Sequence, residues 1–206
     1  LEKELFWESS KKYCDNRKHV FITGLPRSGT TIILNYLYAS SQFASLTFND
    51  MPFVLSPNIW SICTSKIRKK EIFLERAHND GIKYNFNSPE ALEEVFWNTF
   101  SNEQSIVEFE SYIRLILLKN AKKRYLSKNN YNYNRIKKIH NIFPKASFLF
   151  IFREPLQTSF SLLKLHKRFS KIQTENLFVR KYMNWLGHYE FGLDHKPWSS
   201  SENYKK

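Results

Sequence analysis

The residues Gly24-Leu25-Pro26-Arg27-Ser28-Gly29-Thr30-Thr31 have the types and the spacing of an anion-binding loop. An apolar run, Val20-Phe21-Ile22, feeds into it. An apolar helical pattern (Ile32, Ile33, Leu34, Tyr36, Leu37) leaves it, so the predicted order is strand, phosphate loop, helix. Glycines let the backbone turn tightly and approach a ligand. Amides at the start of the helix can converge on an anion, aided by the helix dipole. Ser28, Thr30 and Thr31 supply hydroxyls, and Arg27 supplies a permanent charge with a forked donor geometry suited to phosphate or sulfate oxygens. The spacing from Gly24 to Gly29 is that of a Walker A loop, but Thr30 stands where its lysine would follow the second glycine. Without the lysine that reaches the β/γ-phosphates, phosphate binding is expected and ordinary ATP or GTP hydrolysis is not.

A second constellation lies downstream. Phe143-Pro144-Lys145-Ala146 leads into Ser147-Phe148-Leu149-Phe150-Ile151-Phe152, which reads as a buried parallel strand. The run ends in Arg153-Glu154-Pro155. Proline suits the first position of a helix, and Leu156, Phe160, Leu163 and Leu165 continue an apolar helical pattern. A Walker B strand would end in a magnesium-binding aspartate. This one ends in arginine, a second argument against an NTPase.

Ile22-Thr23-Gly24-Leu25-Pro26-Arg27-Ser28-Gly29-Thr30-Thr31 resembles the 5′-phosphosulfate loop of sulfotransferases that use 3′-phosphoadenosine 5′-phosphosulfate (PAPS). The Pro-Arg-Ser-Gly-Thr-Thr form is similar to that of bacterial and tyrosylprotein sulfotransferases. The strand ending in Arg153, with Ser161 eight residues on in the next helix, resembles the family's 3′-phosphate site. The resemblance runs from about Val20 to Ser170. It implies that Pro26, Arg27, Ser28, Gly29, Thr30 and Thr31 hold the phosphosulfate and that Arg153 and Ser161 hold the 3′-phosphate. It further implies PAPS as co-substrate, 3′-phosphoadenosine 5′-phosphate (PAP) as product, no required metal, and a hydroxyl or amine acceptor on a carbohydrate, small molecule or protein side chain. Beyond Ser170 it thins. The family commonly completes its sites from C-terminal segments, so residues 1–206 are expected to form one sulfotransferase domain, either a compact variant or one cut short at the C-terminus.

Sulfuryl transfer needs a base for the acceptor proton and cations for the sulfuryl oxygens and the departing phosphate. Ala44-Ser45-Leu46-Thr47-Phe48 reads as a second strand, which places Asp50 at its carboxyl end, where ligands gather in open α/β sheets. Asp50 falls about where glycosaminoglycan and tyrosylprotein sulfotransferases carry a catalytic glutamate, and is the expected base. An Asx turn before Pro52 explains it equally well. Lys128, in Tyr125-Leu126-Ser127-Lys128-Asn129-Asn130, partly matches a Lys-Ser-Pro or Lys-Asp-Pro motif of relatives and is expected, with Arg27, to stabilise charge on the transferring group; a solvated lysine among Lys119, Lys122, Lys123, Lys137 and Lys138 is the plain alternative. Glu108 and Glu110 are second-choice bases, in an alternation (Ile106-Val107-Glu108-Phe109-Glu110) that reads as an edge strand.

The elements that must position these groups define a three-layer α/β protein. It has a mainly parallel sheet flanked by helices, with the P-loop NTPase-like topology that the resemblance implies, and strands expected near residues 19–23, 44–48, 105–109 and 147–152. Helical patterns are also expected over Glu90–Trp97 and through Phe178, Tyr182, Trp185, Leu186 and Tyr189; a polar excursion, Ser56 to Asn87, is read as helical and lying over the acceptor site; the tail Pro197 to Lys206 is expected to fray.

Composition adds broad bounds. Hydrophobic residues make up 42% and aromatics 17%, which excludes general disorder. Thirty-two Lys and Arg against 19 Asp and Glu give a net charge of +13, a surface that draws an anionic nucleotide or acidic acceptor. Nucleic acid rests on charge alone and is not expected. Cys14 and Cys63 form no metal-spacing motif, and no apolar stretch is long enough to span a bilayer, so a cytoplasmic, reducing setting is expected. Two other functions stay open: a nucleotide kinase or NTPase with a degenerate loop, and a catalytically inactive nucleotide-binding module.

Overall fold

The structure, a computed structural model, describes residues 2–13, 18–65, 72–75, 81–100 and 105–196. They fall into two compact units, Leu1–Phe152 and Arg153–Lys206. The expected fraying of Pro197 to Lys206 lies outside the described residues.

In the first unit, the order is α1 (Glu2–Lys11), β1 (Val20–Gly24), α2 (Thr30–Ala39), β2 (Phe43–Ala44), a 3-10 turn (Phe48–Asp50), α3 (Pro57–Thr64), β3 (Leu74–Glu75), β4 (Lys83–Tyr84), α4 (Glu94–Thr99) and α5 (Ser105–Asn120). It continues with β5 (Arg124–Lys128), a second 3-10 turn (Asn130–Arg135), α6 (Ile136–Ile142) and β6 (Ser147–Ile151). Among the described residues the main sheet is parallel, in the order β2-β5-β1-β6, and β3 and β4 form a separate antiparallel ribbon. The α/β architecture predicted from the sequence is the one observed.

Strand periodicity explains the layers. Along β1, Val20 and Ile22 pack with Leu34 of α2, Phe43 and Leu126, joined by Ile33, Leu37, Leu149 and Ile151. Phe21 points to the opposite face, where its ring meets Phe109 of α5, Tyr125, Phe143 and Phe148. Successive side chains of a strand face opposite ways, so β1 is covered by α2 on one face and by α5 and the end of α6 on the other.

Four expectations are corrected. Residues 105–109 are not a strand: they open α5, because Phe109, Tyr112, Ile113, Ile116 and Leu117 form one buried stripe at helical spacing that overrides the local alternation. The strand expected over 44–48 pairs only at Phe43 and Ala44, and then gives way to a Thr47–Pro89 bridge and the first 3-10 turn. The strand read as buried is β6, at the sheet's edge, with Phe150 and Phe152 largely exposed. The helix expected over Glu90–Trp97 begins at Glu94, after Ala91 and Leu92 have entered the core through a tight turn in which Leu92 N donates to Glu90 O at 3.0 Å. The excursion from Ser56 to Asn87 contains α3 and the β3–β4 ribbon in its described parts.

The second unit holds α7 (Pro155–Glu175), α8 (Leu177–Trp185) and the segment that follows. Leu165, Phe169, Met183 and Phe191 form its core. Asp194 clamps the segment after α8 to that helix, accepting from Arg180 Nε at 2.8 Å, from Arg180 Nη2 at 2.6 Å and from Asn184 Nδ2 at 2.9 Å. Among the described residues no helix is long and apolar enough to cross a membrane.

Candidate active site

The phosphate loop leaves the carboxyl end of β1, in the interior of the sheet. Gly24 has φ 146°, and a Cβ there would sit 2.4 Å from the Ile151 carbonyl oxygen, so neither the backbone angle nor the space admits a side chain. Gly29 is the N-cap of α2 with φ 101°, a left-handed conformation that turns the loop into the helix. Arg27 also has positive φ, 71°, which is uncommon for a non-glycine residue and marks a locally strained loop. Pro26 is buried, Arg27 and Thr31 are half-buried, and Thr30 is buried at the first position of α2. Ser28 braces the loop: its hydroxyl donates to Leu25 O at 2.6 Å, and its amide to the same oxygen at 3.2 Å. A glycine-shaped turn, a helix N-terminus and an arginine on one short loop fit a sulfate- or phosphate-sized anion.

Lys128 is the last residue of β5, and its register partner on β1 is Ile22. The sequence therefore marked the right end of a strand without marking the strand. Lys128 is 8% exposed, not a solvated lysine. Just past it, Asn129 N donates to Ile22 O at 3.0 Å, and Thr23 Oγ1 donates to Asn130 O at 3.1 Å and accepts from Tyr133 N at 3.2 Å. The structure thus brings Lys128 and the end of the phosphate-loop strand to the same carboxyl end of the sheet, stitched by Thr23.

Asp50 is placed differently from its expected role. It is 1% exposed and closes the first 3-10 turn. Its Oδ2 accepts from Thr47 N at 2.8 Å and from Thr47 Oγ1 at 3.0 Å, and its Oδ1 pairs with Lys119 Nζ. As it stands, Asp50 is a locking residue, and it would have to release Lys119 to take a proton from an acceptor. The second-choice bases are bound elsewhere, on a helix rather than an edge strand: Glu108 pairs with Lys3 at 2.9 Å and Glu110 with Arg114 at 2.5 Å.

In the second unit, Arg153 is exposed just ahead of α7, and its guanidinium reaches Gln157 Oε1 at 3.3 Å from Nη2. Ser161 lies one helical turn beyond Gln157 on the same face, half-buried. Glu154 caps the helix by accepting from Gln157 N at 2.7 Å. That backbone bond holds its carboxyl below the usual range. Among the described residues no group of three or more His, Cys, Asp or Glu is arranged to hold a metal.

Sequence reasoning missed Glu93, Glu94, Asn129 and Arg135. Glu94 takes Arg135 bidentately, with Nη1 and Nη2 each at 2.7 Å, and Asn129 Nδ2 at 2.7 Å. Arg135 also lies 4.9 Å from the Trp97 ring centroid. Glu93 accepts from Trp97 Nε1 and Tyr125 OH, and burial pushes its carboxyl up. The signal for these residues is their burial, which a single sequence does not display.

The family model described as "Sulfotransferase family" matches residues 19–196, across both units. The chain belongs to the sulfotransferase family. No curated protein matches the sequence significantly. Among solved structures, it is similar to the sulfotransferase STF1 from Mycobacterium tuberculosis H37Rv, at 14% identity and a TM-score of 0.51, over 91% of this chain and 62% of that one. That likeness is one of fold, and this chain spans about three-fifths of the relative's length.

Proposed function

We propose that this protein transfers a sulfuryl group from PAPS to a hydroxyl or amine. The observation that carries the reading is the loop in which Gly24 and Gly29 shape the backbone and Arg27 supplies the cation, in a chain of the sulfotransferase family. In the proposed step the acceptor atom bonds to sulfur, the bond from sulfur to the 5′-phosphate oxygen breaks, and PAP leaves. Arg27, Ser28, Gly29, Thr30 and Thr31, with Pro26 shaping the turn, hold the phosphosulfate. Arg27 and Lys128 oppose the charge that grows on the sulfuryl oxygens and the leaving phosphate. Arg153 and Ser161 hold the 3′-phosphate. Asp50 takes the acceptor proton only in a state that exchanges Lys119 for the acceptor.

One observation favours a second reading. The engaged carboxylate of Asp50 suits a nucleotide-binding protein without a base. Calorimetry with PAP, AMP and ATP–magnesium tests the binding part. PAP should bind at least about tenfold better than AMP, since a charge-assisted contact is worth ~1.5–3 kcal/mol. Equal affinities would overturn the 3′-phosphate assignment. Preference for ATP–magnesium would return a kinase. Tight PAP binding with no transfer to any acceptor would favour the binding module.

A further inference from the structure

Resting on the proposed reading of Lys128, we infer that Glu94 is a positioning residue: it holds the turn after Lys128 against the end of β1 and so fixes where that lysine sits beside the phosphate loop. The turn is fastened from two sides. From the sheet side, Ile22 O and the Thr23 hydroxyl bind Asn129 N, Asn130 O and Tyr133 N, immediately ahead of Gly24. From the helix side, Glu94 of α4 binds the turn's N-cap residue and its last residue, Asn129 through Nδ2 and Arg135 through Nη1 and Nη2. Asn129 spends its remaining side-chain oxygen on Tyr131 N at 2.9 Å, capping the turn.

The network is buried and charged. The side chains of Arg135 and Glu94 are 19% and 11% exposed, so removal of the carboxylate charge leaves a shielded guanidinium without its bidentate partner. A bidentate Arg–carboxylate pair also fixes orientation, which a single hydrogen bond does not. Lys128 and Asn129 are consecutive, so a shift of Asn129 moves the lysine. An error of about 1 Å in a charged group near reacting atoms is costly.

The test uses Glu94→Gln, Lys128→Ala and the double variant, each checked for melting temperature. Two measurements are made. Amide exchange reads the clamp without any ligand. Glu94→Gln should speed exchange about tenfold at Asn129, Tyr131 and Tyr133 while leaving the α5 amides unchanged. Unchanged exchange at the turn, or equal acceleration throughout the unit, overturns the inference. Calorimetry with PAP reads the consequence. Each single variant should lose about tenfold in affinity, and the double should be no weaker than Lys128→Ala alone, because Glu94 acts through the lysine. Additive losses overturn the inference. A wild type that fails to bind PAP, with the expected exchange result, overturns the proposed function and leaves the clamp standing.

Discussion

Ile22 and Lys128 are register partners on adjacent parallel strands, two residues before Gly24 opens the phosphate loop. A cation at the end of β5 is thereby brought level with the end of β1, although the two are far apart in sequence. Lys128 is nearly buried there, and under the proposed function its ammonium opposes the charge of the bound anion. Lys128→Met keeps most of the aliphatic stem and removes the charge. It should weaken PAP about tenfold in calorimetry. Unchanged affinity would make Lys128 a structural residue.

Asp50 and Lys119 give a stability prediction. Asp50→Asn keeps the shape that meets Thr47 but strands a largely buried ammonium. Loss of one partner of a buried pair costs about 3–5 kcal/mol, read as a lower urea midpoint. Asp50→Asn combined with Lys119→Met should recover much of that loss. If Asp50→Asn instead keeps its stability and loses about 10²–10⁴ in transfer rate, Asp50 is the base.

PAP binding should not need magnesium. Thr30 in place of the loop lysine, and Arg153 rather than aspartate after β6, motivate this. A thermal-shift series with PAP, with and without EDTA, checks it. Loss of the PAP-induced stabilisation on chelation would contradict it.

Asp194 gives the second unit an acid sensitivity. Hydrogen bonds from Arg180 and Asn184 lower its carboxyl from 3.8 to about 2. A depressed carboxylate contributes stability above its unfolded value, and that stability disappears as pH falls through the folded one. The wild type should therefore lose its advantage over Asp194→Asn between pH of about 4 and 2. Amide exchange within α8 reports the transition. A difference that persists unchanged below that window would refute it.

The β1–loop–α2 unit was legible because three local signals agree: an apolar run, paired glycines and an apolar helical period. β5 was not, since Arg124-Tyr125-Leu126-Ser127-Lys128 has polar ends and a short apolar middle, and its strand state comes from pairing with β1 and β2. α5 was misread because Ile106 to Glu110 alternates over too short a window; the helical stripe emerges only by Leu117. At the candidate site, the position of the loop and of the end of β5 could be read from sequence. The locking of Asp50 could not, because Lys119 lies 69 residues away and only the fold brings them together.

Arg27 is the charged residue of the loop, and its φ of 71° is a backbone state that glycine enters freely and other L-residues enter at ~1–2 kcal/mol. Side chain and main chain at this position are therefore under opposite demands. Arg27→Gly should yield a protein that resists heat better and holds its anion worse. A screen of this chain for thermal tolerance alone would drift toward glycine at position 27, discarding the cation that the proposed function assigns to the ligand.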